Sequence, residues 1–300
     1  MKFNDRDEII RLTPLWKGER FPDGRPKVPD RILKEMRKMT LEELWKPIFV
    51  KGYITQFEGD LKTLHDDGRK LIGRAVTASY GPTRPDHLDL TMKEGEEEGR
   101  KGTFNQWVVD SLTEGDVAVI DMYDKIYKGT FLGGNLTTAI KKNTKNGGAV
   151  IWGGVRDVEQ MKKVPDVQVY YRGIDPTPIR EFIIKDFNGI TRIGKATVLP
   201  GDIVFGAGGG VLFIPAHLAE EVVDGAAKTH VKDDFGFEMI GQGKFTTAQI
   251  DKNTWTEEML DMLTEWIQKD PRGEPYRELD WSKEYDAARN GDPNDTQSAL

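Results

Sequence analysis

The amino-acid sequence predicts an α/β protein with helical segments added at both ends. Between Trp107 and Val169, short apolar runs typical of buried strands alternate with helical patterns. This alternation indicates β-α-β units that share one sheet. From Ile190 onward the pattern becomes mainly β, and helix-capping patterns at Thr40 and Thr256 place helices outside the central part.

The first 60 residues are predicted to form an N-terminal helical extension. Thr40 and Glu43 have the spacing of a capping box, so a helix is expected to start near Thr40. Asp30 is expected to cap a short helix that runs through Met36. Turn-forming residues at 20–26 predict a loop, and strand-type residues from Leu71 predict the first long strand.

Residues 61–235 are predicted to be the central α/β domain. Apolar runs predict strands at residues 117–121, 149–152 and 167–171. Glycine pairs after two of these strands, at 133–134 and 153–154, are predicted to be turns that lead into helices. The glycine-rich residues 206–210 lie between two further strand patterns and lack nucleotide-fingerprint spacing, so they predict a tight β connection.

Residues 236–300 are predicted to form an acidic helical tail. After Thr256, the apolar residues Met259, Leu263 and Ile267 recur at helical spacing. Beyond Pro271 the sequence is polar, and we expect it to be partly disordered.

Composition excludes several classes of function. The 43 Lys and Arg residues against 50 Asp and Glu residues give a net charge of −7. No basic run is present to neutralise phosphates, so direct binding of nucleic acid is disfavoured. The chain has no cysteine, which removes disulfides and thiolate chemistry. No apolar stretch suits a membrane span, and a cytoplasmic location is expected.

The segment Gly-Gly-Val-Arg-Asp at residues 153–157 is the first candidate site. It follows a predicted strand and opens a predicted helix, where open α/β sheets bind ligands. Arg156 offers a planar fork for a carboxylate or an enolate, and Asp157 offers an oxygen ligand for Mg²⁺. The alternative is that Asp157 only caps the helix and Arg156 only pairs with a surface carboxylate.

A second candidate lies at Gly133, Gly134, Asn135 and Leu136, again between a strand and a helix. Its backbone N–H groups could receive a carboxylate or a phosphate, although such glycine turns also occur for structural reasons alone. His87 falls in a segment that we interpret as a polar loop, and the four histidines lack the spacing of a zinc site.

An ordered set of motifs resembles the RraA-like family. The set comprises Gly-Asp-Val-Ala-Val-Ile-Asp at 115–121, Gly-Gly-Asn-Leu at 133–136, Gly-Gly-Val-Arg-Asp at 153–157, Val-Tyr-Tyr-Arg-Gly at 169–173, and Pro-Gly-Asp-Ile-Val at 200–204 through Ile-Pro at 214–215. The family includes regulators of ribonuclease E activity and class II 4-hydroxy-4-methyl-2-oxoglutarate aldolases. The resemblance implies a swivelling β/β/α sandwich that assembles as a homotrimer or a dimer of trimers, with sites between subunits.

The resemblance also implies residue roles. Arg156 would bind substrate and stabilise an enolate, Asp157 would hold Mg²⁺ or Mn²⁺ partly through water, and the amides of residues 133–136 would receive the carboxylate of a 2-oxo acid. The implied reaction is retro-aldol cleavage, or decarboxylation, through a pyruvate enolate.

The sequence departs from the family pattern at three places. Family members usually carry acidic residues where this chain has Gly134, Trp152 and the stretch 207–209. Three hypotheses therefore stay open. They are a metal-dependent lyase that acts on a 2-oxo acid, a non-catalytic regulator that binds a ribonuclease or another protein, and a lyase or hydratase that acts on a sugar acid.

Overall fold

A computed structural model of the protein describes residues 3–291. The chain divides into two compact units, the first ending at Val223 and the second beginning at Asp224. No helix among residues 3–291 is both long and apolar enough to cross a membrane.

The first unit contains a ten-stranded sheet. Its strands are β1 (Phe57–Glu58), β2 (Lys62–Thr63), β3 (Leu71–Pro82), β4 (Asp116–Asp121), β5 (Thr130–Leu132), β6 (Gly148–Val155), β7 (Gln168–Ile174), β8 (Phe182–Phe187), β11 (Ile203–Ala207) and β12 (Gly210–Ile214). The strand order is β1-β12-β11-β3-β4-β6-β7-β2, with β5 paired beside β6 and β8 beside β3. Strands β3, β4, β6 and β7 pair in parallel, and β9 (Thr191–Ile193) and β10 (Ala196–Val198) form a separate hairpin.

The helices of the first unit precede or connect these strands. They are α1 (Arg6–Leu12), α2 (Asp30–Met36), α3 (Leu41–Phe49), α4 (Pro85–Glu97), α5 (Phe104–Asp110), α6 (Gly134–Thr144) and α7 (Val158–Met161), and a 3₁₀ turn (Ala216–Leu218) leads into α8 (Ala219–Gly241), within which the unit boundary falls. The predicted capping box is confirmed, because Thr40 and Glu43 bond each other's backbone at the start of α3.

Alternation along β4 produces two cores. Ala118 and Ile120 pack into the cluster that includes α5, α6 and α7 residues, whereas Val117 and Val119 pack into the cluster that includes the β9–β10 hairpin. A strand directs successive side chains to opposite faces, so a helical layer covers one face and a β layer the other. The first unit is therefore a β/β/α sandwich.

Two sequence-based predictions in this unit are wrong. Gly153 and Gly154 lie inside β6 and not in a turn. Backbone and side chains of the β4–β5 connection pass directly over them: an added Cβ would come 2.5 Å from Met122 Cβ at Gly153 and 2.9 Å from the Ile126 carbonyl oxygen at Gly154. His87 lies in α4 and not in a loop, because Pro85 occupies the first turn of that helix.

The second unit has its own core. It contains the remainder of α8 with α9 (Thr247–Ile250), α10 (Glu257–Lys269), a 3₁₀ segment (Pro271–Tyr276) and α11 (Ser282–Asn290). The helix predicted after Thr256 is confirmed, since the Thr256 side chain accepts from Met259 N–H and Leu263 and Ile267 are buried. The expected disorder beyond Pro271 is wrong for residues 271–290: Trp281 is buried, and Arg289 Nε lies 2.7 Å from Glu257 Oε2. Residues 292–300 lie outside the described part.

Candidate active site

The candidate site forms where β5 and β6 end side by side. Thr130 and Gly154 are paired across these parallel strands, and Arg156 N–H donates to the Leu132 carbonyl at 2.9 Å. The chain then enters α6 after Leu132 and α7 after Asp157. The two predicted strand-to-helix junctions are therefore neighbours in space.

Asp157 turns its side chain away from the helix that it precedes. Its backbone is left-handed (φ 55°, ψ 35°), a conformation that aspartate adopts more readily than most residues. It occupies the position before α7, yet its side chain makes no capping hydrogen bond there. Instead Oδ2 accepts from Arg156 Nη1 at 3.0 Å and from Gly134 N–H at 3.4 Å. The helix-capping alternative for Asp157 is therefore wrong.

Gly133 provides the space that brings these groups together. An added Cβ would lie 2.6 Å from Asp157 Oδ2 and 3.2 Å from Arg156 Cγ. The φ of Gly133 is −145°, which any residue can adopt, so the requirement is for space. At Gly134 the nearest contact of an added Cβ is Gln160 Cβ at 3.2 Å.

The paired charges remain accessible to a ligand. The side chains of Arg156 and Asp157 are 40 % and 35 % exposed. The backbone N–H groups of Gly134, Asn135 and Leu136 form the first turn of α6, where helix geometry leaves amides without partners inside the helix. The Asn135 side chain is exposed, and the Leu136 side chain packs against the core that includes the α5, α6 and α7 residues. These two residues could therefore contribute their amides to the site.

The positions without the family's acidic residues have structural roles here. Trp152 is half-buried against the core of the β9–β10 side, and the Arg172 guanidinium lies 4.5 Å from its ring centroid. Gly208 and Gly209 have positive φ in the tight turn between β11 and β12, which confirms the predicted β connection.

A further polar group at this end of the sheet was seen in the sequence only as the end of a strand. Asp121 ends β4 and is 9 % exposed. Its Oδ1 accepts from Tyr123 N–H at 2.8 Å, and its Oδ2 lies 3.4 Å from Arg192 Nε. Burial raises the pKa of this carboxyl, against the lowering effect of the Tyr123 N–H and of Arg192. The strand alternation directs Asp121 to the β face of the sheet.

A divalent cation would find a limited set of ligands. Within residues 3–291 no group of three or more His, Asp or Glu side chains is arranged to hold a metal ion. Asp157 alone offers a partly exposed carboxylate beside Arg156. Mg²⁺ usually keeps several waters and takes one or two protein carboxylates together with substrate oxygens. The site fits a cation of that kind and not one that requires a full set of protein ligands.

The first unit is thus a β/β/α-sandwich protein in which an Arg-Asp pair faces a helix N-terminus at the end of parallel strands. The family model RraA-like (Aldolase/RraA) matches residues 49–213. This chain belongs to the RraA-like family.

Individual relatives are similar to parts of this chain. Protein DlpA of Legionella pneumophila is 32 % identical over 174 residues, which cover 56 % of this chain. The matched part spans only 25 % of the length of that relative. A solved structure of an uncharacterized protein from Pseudomonas syringae pv. tomato has a TM-score of 0.60 at 20 % identity, covering 78 % of this chain and 96 % of that one.

The structure of Streptomyces coelicolor RraAS2, described as an unusual member of the RNase ES inhibitor RraA protein family, has a TM-score of 0.57 at 20 % identity. It covers 71 % of this chain and 97 % of that one. At these identities the two structural matches show a shared fold.

Proposed function

We propose that the protein is a divalent-metal-dependent lyase that acts on a 2-oxo acid through a pyruvate enolate. The observation that carries the proposal is the Arg156–Asp157 pair, held 3.0 Å apart at the end of β6 and facing the first turn of α6. A cation-binding carboxylate, a guanidinium and free amides are the groups that a 2-oxo acid and its enolate require.

Arg156 and the α6 amides bind and stabilise the substrate. The guanidinium donates to the oxygen that becomes negative as the enolate forms, because a planar cation stabilises delocalised charge. The N–H groups of Asn135 and Leu136 receive the substrate carboxylate at the positive end of the helix dipole. Gly133 leaves the backbone open for this approach.

Asp157 would hold Mg²⁺ or Mn²⁺, with water completing the coordination. When bound, the cation supplies Lewis-acid stabilisation of the 2-oxo group and of the negative charge that develops on it. Arg156 Nη1 and Gly134 N–H fix Asp157 Oδ2 in place, so the carboxylate is oriented before a cation arrives.

A second candidate function is a non-catalytic regulator that binds a ribonuclease or another protein. The observation that favours it is the small number of acidic ligands. Gly134, Trp152 and residues 207–209 carry no carboxylate, and the described residues hold no cluster of three metal-binding side chains. The same observation is compatible with a lyase or hydratase that acts on a sugar acid.

Pyruvate release tests the proposal directly. We would supply 4-hydroxy-4-methyl-2-oxoglutarate and, separately, oxaloacetate, with Mg²⁺, with Mn²⁺ and with EDTA. We expect turnover that needs the metal and is lost in Arg156→Ala. Arg180→Ala is the matched control, because Arg180 is also exposed in the first unit and its described hydrogen bond uses only the backbone. Absence of turnover on both substrates would contradict the proposal and leave the regulator and the sugar-acid enzyme.

A further inference from the structure

We propose that a cavity at the N-terminal side of the first unit binds a small organic cation, an apolar molecule that carries a protonated amine. The cavity has a volume of about 340 Å³ and is lined by residues 12–16, by Pro26, Tyr53 and Gln56, and by residues in or next to β10, β11 and β12. It shares no residue with the Arg156–Asp157 site. The volume lies within the range of roughly 300–1,000 Å³ that small-molecule sites occupy.

Most of the cavity wall is apolar. Leu12, Leu15, Pro26, Leu199 and Pro215 contribute hydrocarbon surface from four separate parts of the chain. Such a wall favours the body of an apolar ligand, because binding removes hydrocarbon from water on both partners. The polar groups of the lining then decide which head group is accepted.

Those polar groups favour a positive charge. The lining contains the Asp202 carboxyl and no lysine or arginine. Asp202 is 5 % exposed and accepts from Leu199 N–H at 2.8 Å and from Ala216 N–H at 3.4 Å. No cation of the described chain pairs with this carboxyl, so an ammonium group would supply the missing opposite charge.

Gln56 reinforces the same preference. Its Nε2 donates to the Thr197 carbonyl at 2.9 Å and to the Phe213 carbonyl at 3.3 Å. The amide nitrogen is thus committed to the backbone, and Oε1 is left as an acceptor. An anion would meet acceptors here, whereas an ammonium group would meet partners for its three donors.

Two aromatic residues of the lining also suit a cation. Trp16 has its indole N–H engaged by the Glu19 carbonyl at 2.8 Å, and Tyr53 Oη lies 3.3 Å from His217 Nε2. Their rings can attract an ammonium group through the negative face of the π system. Burial and the charge of Lys51 lower the pKa of His217, so its imidazole is neutral at neutral pH.

The cations around the cavity are held by partners of their own. Lys51 Nζ lies 2.9 Å from Glu221 Oε1, Arg20 donates to the carbonyls of Thr13 and Gly24, and Lys17 Nζ donates to the Pro14 carbonyl at 2.8 Å. Neither Lys51 nor Arg20 lines the cavity. The charge preference of the lining is therefore set by Asp202.

Calorimetry on the full chain at pH 8, above the pKa of about 7 of the Asp202 carboxyl, tests the proposal with three compounds of similar shape: phenethylamine, phenethyl alcohol and phenylpropionate. We expect the amine to bind about ten-fold more tightly than the alcohol and the carboxylate to bind most weakly, since the head group alone differs. Equal affinity for the amine and the alcohol, or no detectable heat with the amine at millimolar concentration, would overturn the proposal.

Charge substitutions at the rim distinguish a charge-selective site from a nonspecific apolar site. Leu15 lines the cavity and is 59 % exposed, so Leu15→Lys and Leu15→Glu should both fold normally. We expect the lysine to weaken phenethylamine binding and the glutamate to strengthen it, each by about two- to five-fold. Shifts in the same direction would contradict a charge-selective cavity. Trp16→Ala should abolish binding, and retained binding in that variant would place the amine somewhere else.

Discussion

Arg25 and Asp116 form a buried, bidentate ion pair. Arg25 Nη1 lies 2.8 Å from Asp116 Oδ1, and Nη2 lies 3.2 Å from Oδ2. Arg25 is 2 % exposed and Asp116 is fully buried, although 91 positions separate them in the sequence. Asp116 begins β4 and also accepts from the Thr113 backbone and hydroxyl. The N-terminal segment is therefore fastened to the centre of the sheet.

Removing one partner of this pair should destabilise the first unit strongly. Arg25→Met leaves the Asp116 carboxylate buried without its cation, and we expect a loss of about 3–5 kcal/mol in the free energy of unfolding. Urea unfolding measures the loss. Lys27→Ala is the control, because the Lys27–Glu19 pair is exposed and should contribute less than about 1 kcal/mol. Similar losses in both variants would show that burial of the pair does not matter.

Gly133→Ala should disrupt the candidate site without unfolding the protein. The new methyl group would come 2.6 Å from Asp157 Oδ2, so the carboxylate and Arg156 must move. We expect pyruvate release to fall about ten-fold or more, since displacements near 1 Å have such effects. In Gly134→Ala the new contact is 3.2 Å, to Gln160 Cβ, and activity should stay within about three-fold. The reverse order of effects would contradict the assigned site.

Asp157→Asn should weaken binding of Mn²⁺. Asparagine tolerates the left-handed backbone, so the variant removes charge without backbone strain. We expect calorimetric affinity for Mn²⁺ to fall about ten-fold or more, because hard cations prefer carboxylate oxygens. Asp166→Asn is the matched control, since Asp166 is exposed and also has a φ of 55°. Equal affinity in the wild type and Asp157→Asn would refute the metal role.

Asp202 should make the stability of the first unit depend on pH. Burial raises the pKa of its carboxyl to about 7 despite two backbone N–H donors. The folded state then holds this proton more tightly than the unfolded chain, whose aspartates titrate near pH 4. Its contribution to the free energy of unfolding is therefore largest below about pH 4 and is lost as pH rises through 7.

Comparison of the wild type with Asp202→Asn isolates this contribution. The difference in unfolding free energy between the two proteins should shift by up to about 4 kcal/mol between pH 4 and pH 8, with the wild type losing stability as pH rises. Urea unfolding across that range measures it. Asp110→Asn, at an exposed aspartate, should show no such trend. A difference that is constant with pH would contradict the raised pKa.

Local patterns in the sequence predicted the parallel strands and the two strand-to-helix junctions well. Capping at Thr40 and Thr256 and the end of β4 at Asp121 are set by neighbours in the chain. The error at Gly153 and Gly154 came from distant contacts. Position 153 requires a glycine because Met122 packs against its backbone, and not because the chain turns there. Only the fold reveals that contact.

The candidate site was predicted in part for the same reason. Arg156 and Asp157 were identified from their position after a strand, as was Gly133. The left-handed backbone that turns the Asp157 carboxylate toward Gly134 has no local sequence pattern that distinguishes it from an ordinary helix cap. The cavity at Asp202 combines five separate parts of the chain, so no single stretch of sequence could predict it.

The β4–β5 connection, which passes over β6, also limits which substitutions the neighbouring strands tolerate. At Gly173, on β7, an added Cβ would come 2.9 Å from Ile126 Cδ1, next to the contact that Ile126 makes at Gly154. An alanine at position 173 is compatible with this packing only if the Ile126 side chain moves or is replaced by a smaller one. We expect the two positions to vary as a pair among homologues, with a larger residue at 173 accompanied by a smaller one at 126.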